Sequence, residues 1–269
     1  MTADPSSSPA DSFDQAKVTR LRQALIASSE ELFSLLMDAD PEVLKNTLKN
    51  PHLTEQHLLA LLKRRTLPES LIKALHKLPL VGRSRRLLIA LAGHADAPPA
   101  VISAVLPQLF LFELVNLVQL PGTSPDLRLA AERAVLKRLP ETELGNKIAL
   151  ARRGSPAILE ALLKSGEPAL VDAVLANPKL KESGVHAFLT APAATAETIS
   201  VVARHPRWGN RANLRFAMLR NPKTPAIWFT LFLPGLSDAD LIALRSSYSL
   251  APRQLAEVHE ECNRRATIR

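Results

Sequence analysis

The sequence predicts an all-α protein, a stack of short helix–turn–helix repeats of the α-solenoid kind. Three observations predict it. Aromatic residues make up only 4% of the chain and 21 prolines outnumber 9 glycines, a balance foreign to sheet proteins. Most prolines after Pro9 fall 8 to 19 residues apart, the length of one short helix and a turn. Between them the apolar residues keep a helical period, as in Leu58, Leu59, Leu61 and Leu62, or Ile158, Leu159, Leu162 and Leu163.

Residues 1–13, MTADPSSSPADSF, have neither a basic start nor an apolar run and read as a disordered lead-in. Residues 14–39 are expected to form one longer capping helix. Its apolar face would use Phe13 at its edge, then Val18, Leu21, Leu25, Leu32, Leu35 and Leu36. Residues 40–250 hold the repeats. Helix starts are marked by Asp40-Pro41, Ser124-Pro125, Ser155-Pro156 and Thr224-Pro225, each an oxygen-bearing cap before a proline whose missing N–H costs nothing at the first helical position. Helix ends are marked by Asn50-Pro51, Asn177-Pro178 and Asn221-Pro222, because the residue before a proline is pushed out of the helical region. In these three segments Leu48, Leu175 and Leu219 align two residues before the asparagine. In VVARHPRWGN, His205 replaces the asparagine, and IALAGHADAPP and IALARRGSP lack the Asn-Pro pair. Residues 251–269 read as a polar C-terminal capping helix and tail. Polar caps are what a stack of repeats requires at its ends.

Self-similarity of this kind is the signature of stacked helical repeats, none of which buries its apolar face alone. The pattern resembles the bacterial HEAT-like and variant leucine-rich-repeat families, over about residues 40–255. That resemblance implies an α-solenoid whose surface binds partners. The quoted residues shape turns and catalyse nothing.

Composition narrows the function further. Residues 1–62 carry 5 basic and 9 acidic side chains, a balance of −4, while residues 63–269 carry 29 and 17, a balance of +12. Such a body attracts polyanions at long range and also aids solubility. One cysteine, Cys262, excludes an intramolecular disulfide and fits a reducing compartment. No window approaches the roughly 20 apolar residues of a membrane span. A cytoplasmic protein without membrane contact is expected. Neither a glycine-rich phosphate loop nor a nucleophile elbow occurs, and the seven histidines show no metalloprotease spacing. His259 and Cys262 are too few to hold a metal, and Glu30-Glu31 and Glu260-Glu261 read as solvated surface. No catalytic residue, cofactor or metal is expected.

One stretch stands out, RHPRWGNRANLRFAMLRNPKTP. From Thr198 to Ser237 there is no acid, yet Arg204, Arg207, Arg211, Arg215, Arg220 and Lys223 surround Trp208. With a helix expected over 209–219, Arg211 and Arg215 share a face opposite Leu214 and Met218, with Phe216 and Leu219 also read as core. These six cations and Trp208 form the candidate binding patch. Two functions are expected to compete. The first is a non-enzymatic scaffold that binds a protein or peptide partner. Its alternative is nucleic-acid binding through the basic segment 204–223, because the resemblance includes solenoid DNA glycosylases that act on alkylated bases. Such enzymes need a carboxylate beside aromatic side chains, and none lies near Trp208 or Trp228. The same resemblance extends to lyases and chaperones of pigment-bearing proteins, for which no residue here speaks.

Overall fold

The computed structural model describes residues 9–268. Among these the chain is helical and contains no strand, as the proline spacing and helical period predict. The helices group into two compact units, Met1–Ala134 and Val135–Arg269.

The first unit runs through α1 (Pro9–Ile26), α2 (Ser29–Leu35), α3 (Pro41–Thr47), α4 (Glu55–Leu61), α5 (Glu69–His76), α6 (Pro79–Arg83), α7 (Arg85–Ala92), α8 (Pro99–Val105) and α9 (Leu111–Gln119). It ends within α10 (Pro125–Arg138). Packing skips a neighbour: α1 lies on α3, α2 on α4 and α3 on α5. The second unit holds α11 (Leu144–Arg153), α12 (Pro156–Leu163), α13 (Pro168–Leu175), α14 (Glu182–Leu189), α15 (Ala196–Arg204), α16 (Ala212–Arg220), α17 (Ala226–Phe232), α18 (Asp238–Arg245) and α19 (Pro252–Ile268). Here α11, α13 and α15 stack in one row and α12, α14, α16 and α18 in a second. Most of the helices are seven to ten residues long, and each presents an apolar stripe to the helices packed against it. Leu58, Leu61, Leu71, Ile72, Leu75, Leu159 and Leu162 are accordingly buried.

The turn chemistry follows the sequence at most helix starts. Asp40 accepts from the Glu42 N–H, Ser124 from Leu127 and Ser155 from Ile158. Thr224 differs. Pro225 itself takes the cap position of α17, so Thr224 lies one residue outside the helix, where its hydroxyl donates to the Met218 carbonyl at 2.5 Å.

The N-terminal segment also differs from expectation. α1 begins at Pro9, inside the segment read as a lead-in, and the single helix over 14–39 is two helices. Ser28 stops the first and caps the second: its N–H and hydroxyl both reach Glu31, whose carboxyl they hold below the usual range. Val18 is 60% exposed, while the small residues Ala24 and Ala27 are buried. Leu32 and Leu36 are buried as expected, and the Phe13 side chain lies outside the described residues.

At the other end, Glu261 is not solvated surface but 7% exposed. Arg264 and Arg265 both donate to its carboxylate and hold it well below the usual range. Arg265 continues to the Leu233, Pro234 and Leu236 carbonyls, which tie α19 to the turn before α18.

Candidate functional site

The basic segment falls within the second unit, and its cations are largely engaged with the backbone. Arg207 donates to the carbonyls of Asn177 and Leu180 at 3.1 Å and of Pro178 at 3.4 Å. Arg215 donates to Gly209 at 2.7 Å and to the Asn210 side chain at 2.9 Å. Lys223 reaches the Pro192 carbonyl at 2.7 Å, and Arg204 the Ser200 carbonyl of its own helix at 3.2 Å. Carbonyls at helix ends and turns lack intrahelical donors, and a cation satisfies them where an acid cannot. That is why the segment needs no acid of its own. The acid that does appear comes from α14, where Glu182 faces Arg211 at 3.8 Å.

Trp208 does not serve as a stacking platform. It is 1% exposed, and its indole N–H donates to the Leu175 carbonyl at the end of α13, 2.9 Å away. Arg207 covers its ring at 4.2 Å. The helix expected from Gly209 starts instead at Ala212, leaving Arg211 at the cap position rather than on a helical face with Arg215. Gly209 stays in the turn because its N–H donates to His205, and a Cβ there would stand 2.0 Å from the Ala203 carbonyl. Only glycine lets the backbone approach so closely.

The same device recurs along the chain. The Asn50 amide donates to the Ala24 and Ala27 carbonyls at 3.0 Å, Asn177 to Ala151 at 2.7 Å and Asn221 to Leu189 at 2.7 Å. Each carbonyl oxygen of these amides accepts the N–H two residues on, from His52, Lys179 and Lys223. His94, in a repeat that lacks Asn-Pro, does the same work. Its Nδ1 accepts from the Asp96 N–H, so the ring proton sits on Nε2 and is donated to the Arg64 carbonyl at 2.9 Å. Arg64 in turn donates to Leu36 and Asp38 at 2.8 Å. Side chains at repeat ends thus latch carbonyls about one repeat back.

His205 accepts the Arg207 N–H on Nδ1 at 3.2 Å. Burial lowers its pKa, with Asp172 opposing and Arg207 adding to the shift. A depressed histidine pKa stabilises the fold fully above the unfolded value of about 6.5, and that contribution is lost as pH falls through the folded value. His205→Asn keeps the acceptor without the titration. Its thermal midpoint is expected to fall less than the wild type's between pH 7 and pH 5, as followed by circular dichroism, with little change at pH 7.5.

In the first unit Ser29 lies beside His57, but the ring is turned so that it cannot act as a base. His57 Nδ1 accepts the Thr54 N–H at 3.0 Å, so its Nε2 proton goes to the Ser29 carbonyl at 2.9 Å. Ser29 Oγ, 3.5 Å from Nε2, meets a donor and not a base.

The open site of the second unit lies beside the expected patch. On α14 the buried side chains are Val185, Phe188 and Leu189, which turns Ser183, His186 and Thr190 away from the core. On α16 the buried ones are Leu214, Ala217, Met218 and Leu219, which leaves Asn213, Phe216 and Arg220 on the other side. The two stripes match position for position, one repeat apart, and they border a trough. One end is a cavity of about 330 Å³ lined by His186, Thr190, Phe216, Arg220, Asn221 and Ser249, among others. The next, of about 480 Å³, is lined by Glu182, Ser183, His186, Asn213 and Phe216. Because His186 and Phe216 line both, the cavities adjoin.

Of the expected patch, the structure brings only Arg220 into this trough, where its guanidinium lies 5.7 Å from the Phe216 ring centre. Phe216, read as core, is half-buried and forms the trough floor instead. His186 was legible only as a surface residue. The signal that finds the site is the shared i, i+3, i+7 spacing of 183, 186 and 190 and of 213, 216 and 220. Among the described residues, no three metal-ligating side chains come together and no helix is long and apolar enough to cross a membrane.

Comparison of the chain with protein-family models, with curated proteins and with solved structures finds no match. The resemblance to HEAT-like repeats rests on the chain's own repeated turns.

Proposed function

We propose that the chain is a non-enzymatic interaction scaffold built as an α-solenoid, and that its second unit binds a peptide segment of a protein partner along the α14–α16 trough. The skip-one stacking of short helices and the latches between successive repeat ends support the solenoid reading. The observation that carries the binding reading is the pair of adjoining cavities that share His186 and Phe216. An elongated trough with an aromatic floor and polar rims suits an extended chain, whose apolar side chains bury against the ring while its amides meet Thr190, Ser249 and Asn213.

The nucleic-acid alternative draws less support. Arg204, Arg207, Arg215 and Lys223 already donate to the protein's own carbonyls. Recruiting them to phosphates would break these contacts with the protein's own backbone.

Panning a displayed random-peptide library on the full chain tests the proposal. Peptides are expected from the wild type and none from Phe216→Arg, which places a charge on the trough floor while leaving the circular dichroism unchanged. Recovery undiminished in Phe216→Arg would contradict the site. Failure of the wild type to select peptides, with duplex DNA bound in a steeply salt-dependent manner, would overturn the scaffold reading in favour of a polyanion surface.

A further inference from the structure

We infer that the occupant of the α14–α16 trough is an acidic peptide segment, with a side-chain carboxylate held by Arg220 and an adjacent apolar side chain packed on Phe216. This deepens the reading above and rests on it.

Arg220 differs from its neighbours in what its side chain touches. Arg204, Arg207, Arg215 and Lys223 donate to oxygens of the protein, and Arg211 faces Glu182. Among the described residues the Arg220 guanidinium has no such acceptor. It lies 5.7 Å from the centre of the Phe216 ring. The exposed guanidinium keeps its planar N–H fork free, and that fork matches a carboxylate with two parallel hydrogen bonds.

The surroundings complement this. The cavity at the Arg220 end is lined by no acid, and its other polar groups include the His186 ring, which likewise makes no hydrogen bond to the described protein. Ser249, which also lines the cavity, donates to the Arg220 carbonyl at 3.2 Å and accepts from the Ser247 hydroxyl at 2.9 Å. Leu189, Ala217 and Phe216 supply the apolar wall. At the far end stands Glu182, beside Arg211. The trough is therefore polarised: the Arg220 end holds a cation with no acid beside it, while the other end holds the Glu182–Arg211 pair, which offers an acidic group no net attraction. A nucleic-acid strand, with a phosphate at every step, would meet that carboxylate and find only one unengaged guanidinium, whereas a peptide carries its acid at one place and neutral residues elsewhere.

The test pans the same library on the wild type, on Arg220→Gln and on Arg204→Gln, whose arginine lines neither cavity. Wild-type peptides should be enriched in Asp or Glu next to a large apolar residue. A fluorescein-labelled copy of the leading peptide should bind about tenfold more weakly to Arg220→Gln, the loss of one charge-assisted contact, and equally well to Arg204→Gln. Thermal unfolding of Arg220→Gln should match the wild type, since its side chain latches nothing. Peptides recovered without acid enrichment, or acid enrichment that survives Arg220→Gln, would overturn this inference while leaving peptide binding intact. No peptide recovered from the wild type would overturn both. Duplex DNA bound by the wild type and weakened by Arg220→Gln would assign the guanidinium to phosphate and overturn the peptide assignment.

Discussion

Trp208→Ala is expected to destabilise the protein by about 3–5 kcal/mol, the cost of emptying a fully buried indole site. Two effects add. The cavity forfeits the packing of the largest buried side chain, and the Leu175 carbonyl loses the indole N–H that reaches it over 2.9 Å. Trp208→Phe separates them: most of the apolar area returns, but the carbonyl stays unpaired, so about 1–3 kcal/mol should remain lost. Urea unfolding followed by circular dichroism reads both. Equal stability of all three proteins would mean that the tryptophan is available to a ligand rather than committed to the fold.

Asn177→Ala carries the second large effect, about 2–3 kcal/mol by the same measurement. Asn177 is 4% exposed and works in two directions at once, donating to Ala151 at 2.7 Å and accepting from Lys179 at 2.8 Å. Alanine removes the partner of the Ala151 carbonyl and of the Lys179 N–H in the turn together. The turn it holds also receives Arg207 on the Asn177 and Leu180 carbonyls, so Asn177→Ala and Arg207→Ala should combine non-additively. Asn177→Asp tests the polarity of the latch. It keeps the acceptor, loses the donor and sets a carboxylate against the Ala151 carbonyl, and should be at least as costly as alanine.

How much of this was legible follows from how far each interaction reaches. Proline and asparagine act on their own turn, so the helix ends at Asn50, Asn177 and Asn221 and the caps at Asp40, Ser124 and Ser155 could be placed from local sequence. Thr224 escaped because a one-residue shift, decided by Pro225, separates a cap from a turn residue. The latches were not legible. They join residues about 23 to 33 positions apart, and their acceptors are backbone carbonyls, which every residue has. Composition therefore registers the cations and cannot register what satisfies them, and a set of carbonyl-binding arginines reads as a surface patch. His94 illustrates the same limit: imidazole and carboxamide share a donor and an acceptor at similar reach, an equivalence that an Asn-Pro pattern misses. The trough was half legible. Arg220 belonged to the expected patch, but Phe216 was read as core with Leu214, Met218 and Leu219, although two residues from Leu214 and from Met218 a helix turns it to the opposite side. Its half-buried position beside the exposed Asn213 and Arg220 shows that side.

The central claim is a division of labour: the cations around Trp208 hold repeat ends, and the trough beside them takes the ligand. The most direct measurement is the peptide yield of one library panned in parallel on the wild type, Arg207→Gln and Phe216→Arg, at a temperature where all three are folded. The account predicts the same peptides from the wild type and Arg207→Gln, and none from Phe216→Arg. Peptides lost with Arg207→Gln and kept with Phe216→Arg would contradict it.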